Sequence, residues 1–124
     1  MDTASQPHTR VTEFTIDRKT WLRGMNTDES VLLDGDGRQC CLGFYSSACG
    51  VASSGIAGRS FPSSIRPRLQ EMSWLFEWDH ETTEGAIEDT LTTVNDRSTI
   101  EDSEREETIT RYFADQGITV NFIN

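Results

Sequence analysis

The stretch Asp34-Gly-Asp-Gly-Arg-Gln-Cys-Cys-Leu-Gly-Phe-Tyr-Ser-Ser-Ala-Cys-Gly50 decides how the chain folds. Asp34 to Gly37 is the strongest turn signal in the chain, because glycine reaches the positive φ angles that tight turns demand. From Gln39 to Gly50 the residues Cys41, Leu42, Tyr45, Ala48 and Cys49 recur at i, i+1, i+4, i+7 and i+8, which lays them on one face of a helix. This is the expected central helix. Gly43 inside it costs about 1 kcal/mol against alanine, so its presence predicts that another element approaches the helix backbone there. Gly50 stands where the helix stops.

Working outward, Phe14 and Ile16 alternate with polar neighbours in Glu13 to Ile16, the pattern of a short half-buried strand. Asp17 is placed to cap a helical turn over Arg18 to Arg23 that Gly24 ends, and Val31 to Leu33 reads as a second strand. Residues 1–12, polar and carrying Pro7 and His8, read as a flexible leader, leaving 13–124 as a single domain. Ala52 to Ser64 is rich in Ser and Gly and is expected to be a mobile loop. Pro67 suits the first turn of a helix through Arg68 to Trp78. Ile87, Thr90, Leu91 and Val94 share one face of a further helix. The last helix is announced by Ser98-x-x-Glu101 and Ser103-x-x-Glu106, both of capping-box form, followed by the stripe Ile109, Tyr112 and Phe113 and the stop Gly117. Ile118, Val120 and Phe122 alternate with polar residues as a final strand. Strands near residues 14, 32 and 120 packed against three to four helices make an α+β fold with a small antiparallel or mixed sheet.

The 124 residues suffice for one domain, and 35% hydrophobic with 26% charged residues lies in the globular range, which excludes wholesale disorder. No apolar run approaches the roughly 18–20 residues of a membrane span. The first ten residues lack the apolar core of an export signal, so a cytoplasmic protein is expected. The net charge of −10 is uneven: residues 1–72 hold eight acids and eight bases, whereas residues 73–124 hold thirteen acids and three arginines. A field of that sign repels phosphate backbones, disfavours duplex binding and attracts basic surfaces. Glu84, Glu88, Asp89, Glu101, Asp102, Glu104, Glu106 and Glu107 are the candidate partner-binding residues; the bland alternative is a solvated helix face.

Cys40, Cys41 and Cys49 are an odd set, and their spacing with His80 fits no paired zinc-ligand pattern, so no metal is expected. Cys40 at a helix N-terminus, with His80 as base and Asn95 or Asp96 to orient it, is a conceivable nucleophilic triad for amide hydrolysis. The competing reading makes Cys40 a half-buried residue beside the helix start. Glu29, Asp34 and Asp36 lack the alternating pattern of a calcium loop, and no phosphate-cradling glycine motif is present, so no cofactor is expected. A second ligand reading sets Arg38, Arg59, Arg66 and Arg68 on phosphates and Trp74 or Trp78 on a base, as in a protein that sequesters a nucleotide signal.

Trp21-Leu-Arg-Gly24, Cys40-Cys-Leu-Gly-Phe44, Ala48-Cys-Gly50 and Val94-Asn-Asp96, in that order and followed by an acidic helix and the Gly117-Ile-Thr-Val-Asn-Phe122 strand, resemble a set of small proteins encoded by phages and prophages. The resemblance runs from Glu13 onward and carries no established activity, so no site residue is transferred. It implies a compact accessory protein that a virus uses against its host. Joined to the acidic half, it leads to the expectation of a non-enzymatic inhibitor of a host defence complex, of the anti-CRISPR kind, that docks on a basic surface.

Overall fold

The computed structural model describes residues 10–24 and 31–124; residues 1–9 and 25–30, His8 and Glu29 among them, lie outside the described residues. Among the described residues the chain forms strand β1 (Glu13–Asp17), helices α1 (Cys41–Ala48), α2 (Ser53–Ile56), α3 (Ile87–Asp96) and α4 (Asp102–Ala114), and strand β2 (Thr119–Ile123). Two 3₁₀ segments, Pro62–Ser64 and Gln70–Phe76, lie between α2 and α3. This is an α+β fold.

The sheet has two strands, and they run parallel, with Phe14 opposite Val120 and Ile16 opposite Phe122. β1 and β2 are joined through all four helices, a connection long enough to bring the chain back in the same direction, and the antiparallel contact among the described residues is the isolated Trp78–Ala86 bridge. The expected strand at Val31 to Leu33 does not form. Leu32 donates to Arg59 O (2.7 Å), and Leu33 makes only a single bridge, to Ala57. The segment serves the core instead, with Leu32 fully buried.

α1 is the central element, packed on β1, α2 and α3. Tyr45 from α1, Phe14 from β1, Trp74 from the 3₁₀ segment Gln70–Phe76 and Phe113 from α4 form one aromatic cluster, with Phe113 within 4.9–5.1 Å of the other three ring centroids. The close approach at Gly43 is real: a Cβ there would lie 2.0 Å from the Leu32 carbonyl oxygen. Gly43→Ala is therefore expected to destabilise by about 2–3 kcal/mol despite the gain in helix propensity, because a backbone carbonyl has to move. A lowered urea midpoint at unchanged slope is the measurement that checks it.

Several local expectations change under tertiary contacts. Arg18 to Arg23 form no helix; the Asp17 carboxylate accepts from Lys19 N (3.0 Å), and the chain then extends so that Trp21 bridges Gln39. Residues 10–12, assigned to the leader, are docked, with Val11 N donating to Glu71 (3.0 Å) and Thr12 O accepting from Thr119 (2.8 Å). The Ser/Gly-rich stretch holds α2 and the first 3₁₀ segment, and buries Ile56 completely. Pro67 follows a cis peptide and precedes a 3₁₀ helix rather than an α-helix. Neither Ser98 nor Ser103 caps α4, whose N-cap is Glu101 without a side-chain bond, because the preceding loop is held by Arg105 instead.

Candidate functional site

Asn95 is fully buried on α3, four residues after the equally buried Leu91. Its Oδ1 accepts from Trp21 Nε1 (2.8 Å) and from the backbone N–H of Cys41 (3.0 Å). Its Nδ2 donates to Leu22 O (2.8 Å) and to Asp96 Oδ1 (3.0 Å), while its own carbonyl accepts from Gly24 N (2.8 Å). One amide thus ties the Trp21–Gly24 segment, the first turn of α1 and the end of α3. These are the Trp-Leu-Arg-Gly, Cys-Cys-Leu-Gly-Phe and Asn-Asp segments that stand out in the sequence.

Arg105 completes this hub from α4. It is 2% exposed and donates to the carbonyls of Val94 (3.1 Å), Ile100 (3.3 Å) and Arg97, and to Asp102. A buried cation on the carbonyls that end α3 is compensated by the helix dipole and by Asp102. Gly24, at φ +67°, lies against that guanidinium, with a hypothetical Cβ at 3.4 Å from Nη2. Sequence reading singled out Asn95 only as an orienting group for Cys40 and missed Arg105; the signal for both was spacing, since Asn95 is i+4 from Leu91 and Arg105 is i−4 from Ile109, on the apolar stripes themselves.

The nucleophilic triad does not assemble from these parts. Cys40 is the N-cap of α1, as expected, but it is 4% exposed, and burial pushes its thiol up to about 11, against the lowering that the helix terminus and neighbouring amides supply. Burial also raises the Cys41 thiol well above its ordinary value, and Cys49 is pushed up to about 12 for the same reason. His80 sits exposed in the turn after Asp79, and Asn95 spends its amide on the hub. Asp34 Oδ1 accepts from Asp36 N and Arg38 N, both at 2.8 Å, so it organises its own turn. Among the described residues no three His, Cys, Asp or Glu side chains cluster as metal ligands.

Asp79 is a third buried polar centre. Its carboxylate accepts from Thr90 Oγ1 (2.6 Å), Tyr112 Oη (2.9 Å) and Glu81 N (2.9 Å), fastening the 79–86 loop to α3 and α4. Burial alone raises its pKa, but these donors outweigh it and hold the carboxyl below the usual 3.8. A depressed folded-state pKa contributes stability above the unfolded value and loses it as pH falls through the folded one. Asp79→Asn is expected to cost about 2 kcal/mol at pH 7, with the gap to wild type closing as pH drops below 3.8. Urea midpoints of both proteins across pH 2.5–7 test this (approximate range).

The expected acidic surface divides. Glu88 is removed from it: it is 7% exposed, its carboxylate accepts from Ser63 N (3.1 Å), and burial raises its pKa. Glu106 forms a two-pronged pair with Arg18 (2.8 Å on each prong), and Asp102 pairs with Arg23 (3.2 Å) and Arg105. Asp89 accepts from Ala86 N (3.0 Å) at the start of α3, where with Glu84 it lines a cleft of about 370 Å³. Glu101, Glu104 and Glu107 are exposed, and their carboxylates have no hydrogen-bond or ion-pair partner among the described residues. Three apart along α4, they form one ridge on adjacent turns.

The arginine and tryptophan set is dispersed. Trp74 is 6% exposed and donates to Tyr45 Oη (3.1 Å), so no base can stack on it. Arg59 is spent on Gly55 O (3.1 Å), and Arg66 and Arg68 both donate to Ser63 O (2.8 and 3.3 Å). Arg38 projects from the Asp34 turn, and Trp78 is half exposed beside its bridge to Ala86. A groove of about 350 Å³ between α2 and Pro67 takes only Arg66 of the four arginines. Among the described residues no helix is long and apolar enough to cross a membrane. No protein-family model, curated protein or solved structure matches the chain.

Proposed function

We propose that this chain is a non-enzymatic binding protein whose α4 ridge docks on a basic surface of a host nucleic-acid-handling complex and inhibits it by occupying that surface. The observation that carries the reading is the set Glu101, Glu104 and Glu107, exposed on consecutive turns with side chains unpaired among the described residues, while Asp79 and Glu88 are buried and Glu81, Asp102 and Glu106 are paired. Glu101 and Glu104 also favour the N-terminus of α4 electrostatically, but Glu107 lies beyond that first turn and gains nothing from it. The buried thiols and the fully engaged Asn95 favour binding over nucleophilic chemistry. The resemblance to phage-encoded proteins supports a defence complex as the target and the host cytoplasm as the place of action.

The test is displacement of a fluorescent DNA or RNA from purified CRISPR effector or defence-nuclease complexes, read by anisotropy at increasing salt. Displacement that weakens steeply with sodium chloride is expected, since the contact rests on exposed charges. Absence of displacement and of direct binding at low salt for every such complex would sink the reading.

A further inference from the structure

The outer edge of β2 has features of a pairing surface. Thr119 donates its amide to Thr12 (2.8 Å) and Ile123 accepts from Arg18 (2.9 Å), so the odd-numbered residues of β2 direct their backbone groups to β1. Val120 and Phe122 then direct theirs to the opposite side, where these groups have no hydrogen-bond partner among the described residues. Proteins protect such edges with charge, proline or a covering element. β1 follows that rule, with Glu13 and Asp17 on the strand and Arg18 and Lys19 directly after it. β2 does not: from Gln116 to Asn124 there is no charged residue and no proline. Ile123, 46% exposed, stands on its solvent face.

We propose that a second copy of this chain adds its own β2 antiparallel along this edge, making a four-stranded sheet across a two-fold axis. The edge is self-complementary. With the axis at Asn121, Val120 exchanges both backbone hydrogen bonds with Phe122 of the second copy, and Phe122 with its Val120. Ile123 then lies across from Thr119 of the second copy, whose methyl group covers part of it. Charge favours the same place: two chains of −10 repel through their acidic halves and approach best along an uncharged strand. The pairing is independent of the α4 ridge.

Light scattering on size-exclusion eluates of the full chain, over a concentration series, is the test. A mass rising from 14.0 kDa toward twice that value is expected, and Ile123→Lys, which adds a charge and removes the apolar contact, returns it to 14.0 kDa with an unchanged circular dichroism spectrum. As a check independent of affinity, Asn121→Cys puts a thiol at a non-hydrogen-bonded position where facing Cα atoms lie about 4.5 Å apart, so mild oxidation links two chains, whereas Thr15→Cys on β1 does not link. A monomer at every concentration, a dimer that Ile123→Lys leaves intact, or equal cross-linking of both cysteine variants would overturn the proposal.

Discussion

Asn95→Ala is expected to cost about 3–5 kcal/mol, enough to leave a domain of ordinary stability largely unfolded. The removed amide leaves three groups without partners in the interior: the indole N–H of Trp21, the backbone N–H of Cys41 and the carbonyl of Leu22. Each unsatisfied buried group costs about 1–3 kcal/mol, and Asn95 is 0% exposed, so water does not replace the amide without reorganisation. Asn95→Asp separates the roles of the two amide ends. It keeps the acceptor for Trp21 and Cys41 but loses the donor to Leu22 and sets a carboxylate beside Asp96. Its deficit is expected to grow as pH rises through the carboxylate range, whereas the Asn95→Ala deficit stays flat. Urea unfolding followed by tryptophan fluorescence reads both; an alanine variant within about 1 kcal/mol of wild type would show that the hub does not hold these segments.

Phe113→Ala is the other large effect, expected at about 3–5 kcal/mol. Phe113 is fully buried, and its ring meets Phe14, Tyr45 and Trp74 edge-on, so its loss opens a cavity where α4, β1, α1 and the 70–76 segment meet. Because Tyr112 and Ile109 keep α4 in contact with the core, partial collapse favours the lower end of that range. Phe113→Leu is expected to recover more than half of the loss. The midpoint of urea unfolding tests this pair, and a near-neutral Phe113→Ala would mean that the acidic half is held by its ion pairs rather than by this packing.

Periodicity and glycine made part of this architecture legible. The stripes Cys41, Leu42, Tyr45 and Ile109, Tyr112, Phe113 lie in α1 and α4, Gly43 marks the close approach of Leu32, and Phe14, Ile16 and Val120 face the core from two strands. These features depend on neighbours within a turn or two of chain. The parallel pairing, the loss of a strand at Leu32 and the 3₁₀ character of Gln70–Phe76 depend on contacts between distant segments, which no local pattern encodes. The polar interior was the least legible part. Asn95 reaches Trp21 across 74 residues, and a side chain read as an orienting group for Cys40 is instead the fastening of three segments. Charge counts placed the acids in the correct half without telling Glu88, turned inward to Ser63, from Glu107, turned to solvent.

The most direct test of the division between a structural hub and a working surface is the variant Glu101→Gln, Glu104→Gln, Glu107→Gln in the displacement assay, with its melting temperature recorded on the same sample. The account predicts that nucleic acid is no longer displaced while the melting temperature stays close to that of wild type, since relief of repulsion in a chain of net charge −10 offsets the loss of Glu101 and Glu104 charge at the α4 N-terminus. Undiminished displacement by this variant, folded as wild type, would contradict it.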